Sequence, residues 1–281
     1  MRYQVFEDNF RAIRAMQKEV SHQVGVNQFA DWTKEEFAQI STGFKRSGSA
    51  TVDFPKNPVV HTLPASVDWR EKGGVSPIIN QGQCGSSWAF AATEALEGRW
   101  FAEHGELYTL SAQQLLDCET KYSMGCNGGQ MYGAFEYAET HGIETVEDYP
   151  YHSMKGGEYK CEYDASKGKV TDKGHAKVQK GSSFDFKKQL LDGPVATAVA
   201  ADKQVFMFYK GGIIQDRCDG QYPNHGITAV GYGVEKGVEY LILKNTWGEN
   251  WGEKGFVRVA SQDGDGMCGV NIEAVYPIMN C

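Results

Sequence analysis

The sequence predicts an α+β protein with two subdomains facing each other across a cleft, and three observations carry that prediction. Helical patterns concentrate in the first half of the chain. Short strand-like runs bounded by Gly, Pro and Asn, at 195–199, 226–232 and 239–244, occupy the second half. Where the halves must meet, a glycine-rich turn at 81–86 feeds the small and apolar residues Ala89, Phe90, Ala91, Ala92, Ala95 and Leu96, a helix fit to be buried.

Residues 1–20 read as an amphipathic helix, because Arg2, Phe6, Asn9, Ile13 and Gln17 recur at three- and four-residue spacing and share one stripe. From Val24 to Asp31 apolar and polar residues partly alternate, as in a short strand. Thr33 followed three residues later by Glu36 forms a capping box at the start of a second helix. Residues 41–62, with Gly43, Ser47, Gly48, Ser49, Pro55 and Pro58, have few apolar side chains and read as an extended, protease-accessible linker. Ser87 falls in the first turn of the buried helix, where unpaired N–H groups and the dipole favour negative charge. Ser86 or Ser87 acting only as an N-cap is the simpler alternative for that position. Ser111 caps a further short helix, and 125–129 is a tight glycine turn.

The chain has 281 residues, 41% of them hydrophobic, and carries a net charge of −8. That length suffices for one large or two small domains, and the acidic balance argues against a nucleic-acid or polybasic membrane surface. No apolar run is long enough to span a bilayer, and the N-terminal residues lack a signal-peptide core, so a secretion signal is expected to be absent from this sequence. None of the seven cysteines is arranged as Cys-x-x-Cys, so no metal site and no cofactor is expected. Six in disulfides and one spare fits an oxidising compartment, with fifteen connectivities open.

The run Gln81-Gly82-Gln83-Cys84-Gly85-Ser86-Ser87-Trp88 resembles the nucleophile segment of papain-like cysteine proteases of the cathepsin L type, with Ser87 where the family has its cysteine and with His225 and Asn245 downstream. Three further segments carry the resemblance. The stripe Arg2, Phe6, Asn9, Ile13 and Gln17 is similar to the family's propeptide helix motif, with Gln17 replacing an Asn and the leading Glu falling before Met1, so the propeptide is expected to be N-terminally truncated. Gly25-Val26-Asn27-Gln28-Phe29-Ala30-Asp31 is similar to the second propeptide motif, and Leu63-Pro64-Ala65-Ser66-Val67-Asp68-Trp69-Arg70 to the start of mature enzymes.

This resemblance implies a papain-like fold, a helical left and a β-barrel-like right subdomain, preceded by a helical inhibitory propeptide. Residues 1–62 would be the propeptide and 63–281 the peptidase domain. It also implies the pairings Cys84–Cys126, Cys118–Cys161 and Cys218–Cys268, leaving Cys281 over. In the implied site Gln81 and the residue-87 N–H hold the oxyanion, His225 is the base, Asn245 orients it and Trp247 shields that bond. Gly128 and Gly129 would bind substrate backbone beside Asn224, and the main specificity pocket would have Gln130, Met131, Ala198, Pro223 and Gly226 as walls and Glu273 at its floor. Such a pocket takes Leu, Val or Phe, and a floor carboxylate adds Arg.

Serine at position 87 keeps the shape and loses the chemistry, because a hydroxyl forms no stable ion pair with His225, whereas a thiol, with a pKa of about 8.5, can. Two explanations fit it: an engineered Cys-to-Ser substitution that stops a zymogen from digesting its own propeptide, or a natural serine-bearing pseudoprotease, silicatein-like, that binds or builds. The implied partners are polypeptide substrates and the chain's own propeptide, with no nucleic acid and no membrane, in a monomer of a lysosomal, vacuolar or secreted setting. The 41–62 segment is expected to run through the cleft opposite to substrate. Asp31, Glu35 and Glu36 are expected to hold the propeptide when ionised.

Overall fold

The computed structural model describes residues 2–41, 43–45 and 62–279; most of the 41–62 linker and Cys281 lie outside them. The N-terminal segment contributes α1 (Arg2–Met16), β1 (Gln23–Val24) and α2 (Lys34–Ser41). After it come β2 (Val67–Asp68), α3 (Ser87–His104), α4 (Ala112–Cys118) and α5 (Met131–Ala138). The remainder is strand-rich: β3 (His175–Lys177), α6 (Ser183–Gln189), β4 (Val195–Val199), α7 (Gln204–Met207), β5 (Tyr209–Gly211), β6 (Ile213–Ile214), β7 (His225–Glu235), β8 (Val238–Lys244), β9 (Phe256–Ala260) and β10 (Val275–Pro277).

The capping residues act as their chemistry dictates. In α2 the Thr33 hydroxyl accepts from Glu36 N at 3.2 Å while the Glu36 carboxylate accepts from Thr33 N at 2.8 Å, the reciprocal capping box. Ser111 accepts from Gln114 N and starts α4. The strand expected over 24–31 is shorter: only Gln23–Val24 pairs, antiparallel with β5, because the chain then folds into a turn in which Asn27 reaches across to Met207 O at 2.8 Å.

An eight-stranded, mostly antiparallel sheet runs β3-β10-β4-β7-β8-β9-β6, with β2 added beside β7. β7 is buried on both faces over most of its length, since α3 covers one side and the larger core the other. That core also takes in Ile13, Met16, Val24, Phe29, Phe37 and Ile40 of the N-terminal segment. A second core forms around α3, α4 and α5. Disulfides join Cys84 to Cys126, Cys118 to Cys161 and Cys218 to Cys268. Each closes a long loop, which stabilises chiefly by restricting the unfolded chain.

α3 has no amphipathic stripe, and its residues from Ser87 to Arg99 are buried. Its alanines and the glycine at 226 let β7 approach the helix start: a Cβ at Gly226 would fall 2.7 Å from Ser87 O. Any side chain there would push the strand carrying His225 off the helix carrying Ser87.

Candidate active site

Ser87 opens α3, and neither it nor Ser86 caps the helix with its side chain, which removes the simpler reading of that stretch. His225 begins β7 and Asn245 directly follows β8, so three elements meet at one point. The His225 Nε2 and Asn245 Oδ1 atoms lie 2.8 Å apart. Nδ1 of His225 is buried without a hydrogen-bond partner among the described residues, and the Ser87 hydroxyl accepts from Gly226 N at 3.1 Å. Burial lowers the His225 pKa to about 4, against a smaller upward pull from Asn245, so the ring is neutral beside a hydroxyl. Trp247 covers it, with ring centroids 4.8 Å apart.

Gln81 is wholly buried, and its side-chain amide donates to Cys84 O at 2.8 Å and to Ile40 O at 3.1 Å. Thr246 donates to the Gln81 carbonyl oxygen, and Tyr151 to the Gln81 main-chain oxygen at 2.7 Å, so both ends of this residue are fixed. Ile40, Thr246 and Tyr151 carry no sequence signal that would have named them here.

The N-terminal segment lies in the cleft. Gly43 O accepts from Gly129 N, and Lys45 N donates to Gly129 O, both at 3.0 Å, a parallel bridge between Phe44 and Gly129. Phe44 N donates to Asn224 O at 3.0 Å on the opposite wall. A Cβ on Gly43 would stand 2.5 Å from Gly85 O and 2.9 Å from the Ser87 hydroxyl, so glycine alone passes over that residue without displacement. Phe44 is buried, and it lines a small cavity together with Lys45, Gln130, Met131, Tyr132, Lys177, Glu273 and Val275. Ala198 belongs to the same core cluster as Phe44, while Pro223 is buried next to Asn224. Gly128 takes a positive φ of 106° immediately before Gly129. Tyr132, Lys177 and Val275 are additions to the expected pocket; Lys177 and Val275 arrive through the β3–β10 pairing, which sequence spacing does not reveal.

Farther along, Phe29 and Phe37 each sit edge-on to Trp247 at 5.3 Å, and Gln28 donates to Trp247 O at 2.8 Å. Asn9 of α1 donates to Ala30 O and Trp32 O, which fixes this hook. Arg2 bonds Asp31 through that residue's carbonyl, at 2.9 Å, and pairs with Glu36 at 2.7 Å. The Asp31 and Glu35 side chains are exposed, and of the three carboxylates expected to hold the propeptide Glu36 alone forms an ion pair among the described residues, with Arg2 of the same segment, so it braces that segment internally.

Residues 63–278 match the papain family cysteine protease description and residues 1–37 the cathepsin propeptide inhibitor domain (I29). Cysteine protease XCP2 of Arabidopsis thaliana is 42% identical over 99% of this chain and 80% of its own length. A cathepsin L-like peptidase of Aedes aegypti is 40% identical over 92% of this chain and 79% of its own. Among solved structures, the proform of the ragweed pollen cysteine protease Amb a 11 superposes with a TM-score of 0.89 at 37% identity, covering 100% of this chain and 89% of that one. Digestive procathepsin L 3 of Tenebrio molitor larvae gives 0.87 at 37% identity, covering 99% and 91%. Sequence and fold agree, and the chain belongs to the papain family of cysteine proteases, in a form that carries its inhibitory propeptide.

Proposed function

We propose that this chain is the proenzyme of an endopeptidase working through residue 87, His225 and Asn245, with Ser87 holding it inactive. The observation that carries this reading is the His225–Asn245 contact of 2.8 Å beneath Trp247, next to Ser87 at the start of a buried helix. With cysteine at 87, the helix dipole and an imidazolium at His225 favour the thiolate. That thiolate adds to the scissile carbonyl carbon, the amide C–N bond breaks, His225 gives its proton to the departing amine, and water then releases the acyl group. The Gln81 amide and the residue-87 N–H stabilise the oxyanion, and Asn245 keeps the ring oriented.

The propeptide is assigned to 1–62 and the peptidase domain to 63–281. The parallel bridge at Phe44 supports a propeptide running opposite to substrate, which would pair with Gly129 in the other sense. Phe44 stands in for the substrate side chain that selects the cleavage site, which favours Phe, Leu or Val there, and Glu273 in the same pocket supports acceptance of Arg. Substrates are polypeptides. The disulfides suit a lysosomal, vacuolar or secreted setting.

One observation favours a second reading, a natural serine-bearing protein that binds peptides without cutting them: the Ser87 hydroxyl is satisfied by Gly226 N without the imidazole. The test is Ser87→Cys. On the first reading the new cysteine is labelled by thiol-directed epoxides and cleaves peptides, and His225→Ala abolishes both. A Ser87→Cys protein that neither labels nor cleaves after propeptide removal supports the second.

A further inference from the structure

Behind the cleft, α3 carries two carboxylates into the core. Glu94 and Glu97 are 6% and 3% exposed, and the ammonium between them, Lys244, is 1% exposed. Lys244 Nζ lies 3.0 Å from Glu94 Oε1 and donates to Ser76 Oγ at 2.8 Å. Ser76 Oγ and Glu97 Oε2 lie 2.5 Å apart, and Leu110 N donates to Glu97 Oε1 at 2.7 Å. Thr228 donates to Glu94 Oε2 at 2.6 Å.

The position of this cluster gives it a reach beyond stability. Glu94 and Glu97 lie on the helix that begins at Ser87. Thr228 lies on β7, three residues beyond His225, and Lys244 directly precedes Asn245. The cluster therefore bonds together the three elements that carry the site. Its charges do not balance: two carboxylates face one ammonium, and among the described residues no other charged group acts on either carboxylate. A net negative charge in closed apolar surroundings is costly, so the compact arrangement holds one extra proton.

We propose that Glu94, Glu97 and Lys244 are positioning residues that keep residue 87, His225 and Asn245 in register only while the two carboxylates share one proton. This rests on the catalytic reading of those three positions. Burial pushes Glu97 up to about 7, and pushes Glu94 up as well against the pull of Lys244. The folded-state value lies above the unfolded one of 4.5, so the stabilisation is fully present below 4.5 and is lost as pH rises through about 7. Acid conditions thus lock the junction, and neutral conditions loosen it.

The test compares the propeptide-free Ser87→Cys enzyme with the same enzyme carrying Glu97→Gln, which keeps the side chain's size and an acceptor but has no proton to lose. We expect the alkaline fall of kcat/KM to move upward by about one pH unit, through kcat and with KM little changed. In the unaltered Ser87 chain, melting temperature should fall between pH 5 and pH 8, and Glu97→Gln should flatten that fall. Should Glu97→Gln not fold, Glu94→Gln removes the other carboxylate and reads the same proton. Superimposable pH profiles and parallel melting curves would overturn the proposal. A Ser87→Cys enzyme inactive at every pH counts against the catalytic reading, and the melting comparison then decides on the cluster by itself.

Discussion

The N-terminal segment is held in two different ways at two places. Over the cleft, residues 43–45 are held mainly by main-chain hydrogen bonds to Gly129 and Asn224, groups any peptide could use. At Trp247 the grip is by side chains: Phe29, Phe37 and Trp32 interlock with ring centroids 5.1 to 5.3 Å apart, and Asn9 ties the hook from behind. The first contact blocks and the second anchors. The blocking segment adds one buried ring, Phe44, to its main-chain bonds, whereas Phe29 and Phe37 both pack on Trp247, so the larger apolar contact lies at the aromatic grip.

The largest effect is expected at that anchor. Phe29→Ala removes a ring that is 3% exposed, a loss of about 3–5 kcal/mol, and in a Ser87→Cys background the zymogen should become active without acidification. An unaltered requirement for acid would show that the grip does not anchor. Gly43→Ala should act next, since its Cβ collides with Gly85 O and the Ser87 hydroxyl while the anchor stays intact. The expected outcome is a leaky zymogen, with partial activity on small peptides and unchanged retention of the propeptide on gel filtration.

His22 lies beside β1 with both ring nitrogens buried, next to Tyr209, Asp216 and the Val205 carbonyl. Burial lowers its pKa below 6.5, outweighing the Val205 carbonyl and Asp216. The docked state therefore favours the neutral ring, and its contribution, present above 6.5, is lost as pH falls. His22→Phe should move the midpoint of maturation to lower pH, and an unmoved midpoint would clear His22 of that role. The smallest shift is expected from Glu36→Gln, because the Arg2–Glu36 pair is exposed and screened.

Much of this was legible in the sequence because local rules governed it. The Thr33–Glu36 box, the Ser111 cap and the runs at 195–199 and 239–244 each follow from residue type and period. What escaped depends on distant pairing or on burial of charge. Lys177 reaches the pocket only through register with β10. Glu94 and Glu97, spaced like a solvated helix face, lie in the core because α3 is covered on all sides. Asp31 was expected to anchor by its charge, and the chain turns it outward and uses its carbonyl.

The proposed function requires a competent cleft beneath the chain's own propeptide. The most direct measurement is peptide hydrolysis by Ser87→Cys before and after removal of residues 1–62, beside the Ser87 chain treated identically. Negligible turnover is expected while the propeptide is bound, robust turnover after its removal, and none from the Ser87 chain in either state. Equal turnover with the propeptide in place, or turnover by the Ser87 chain, would contradict it.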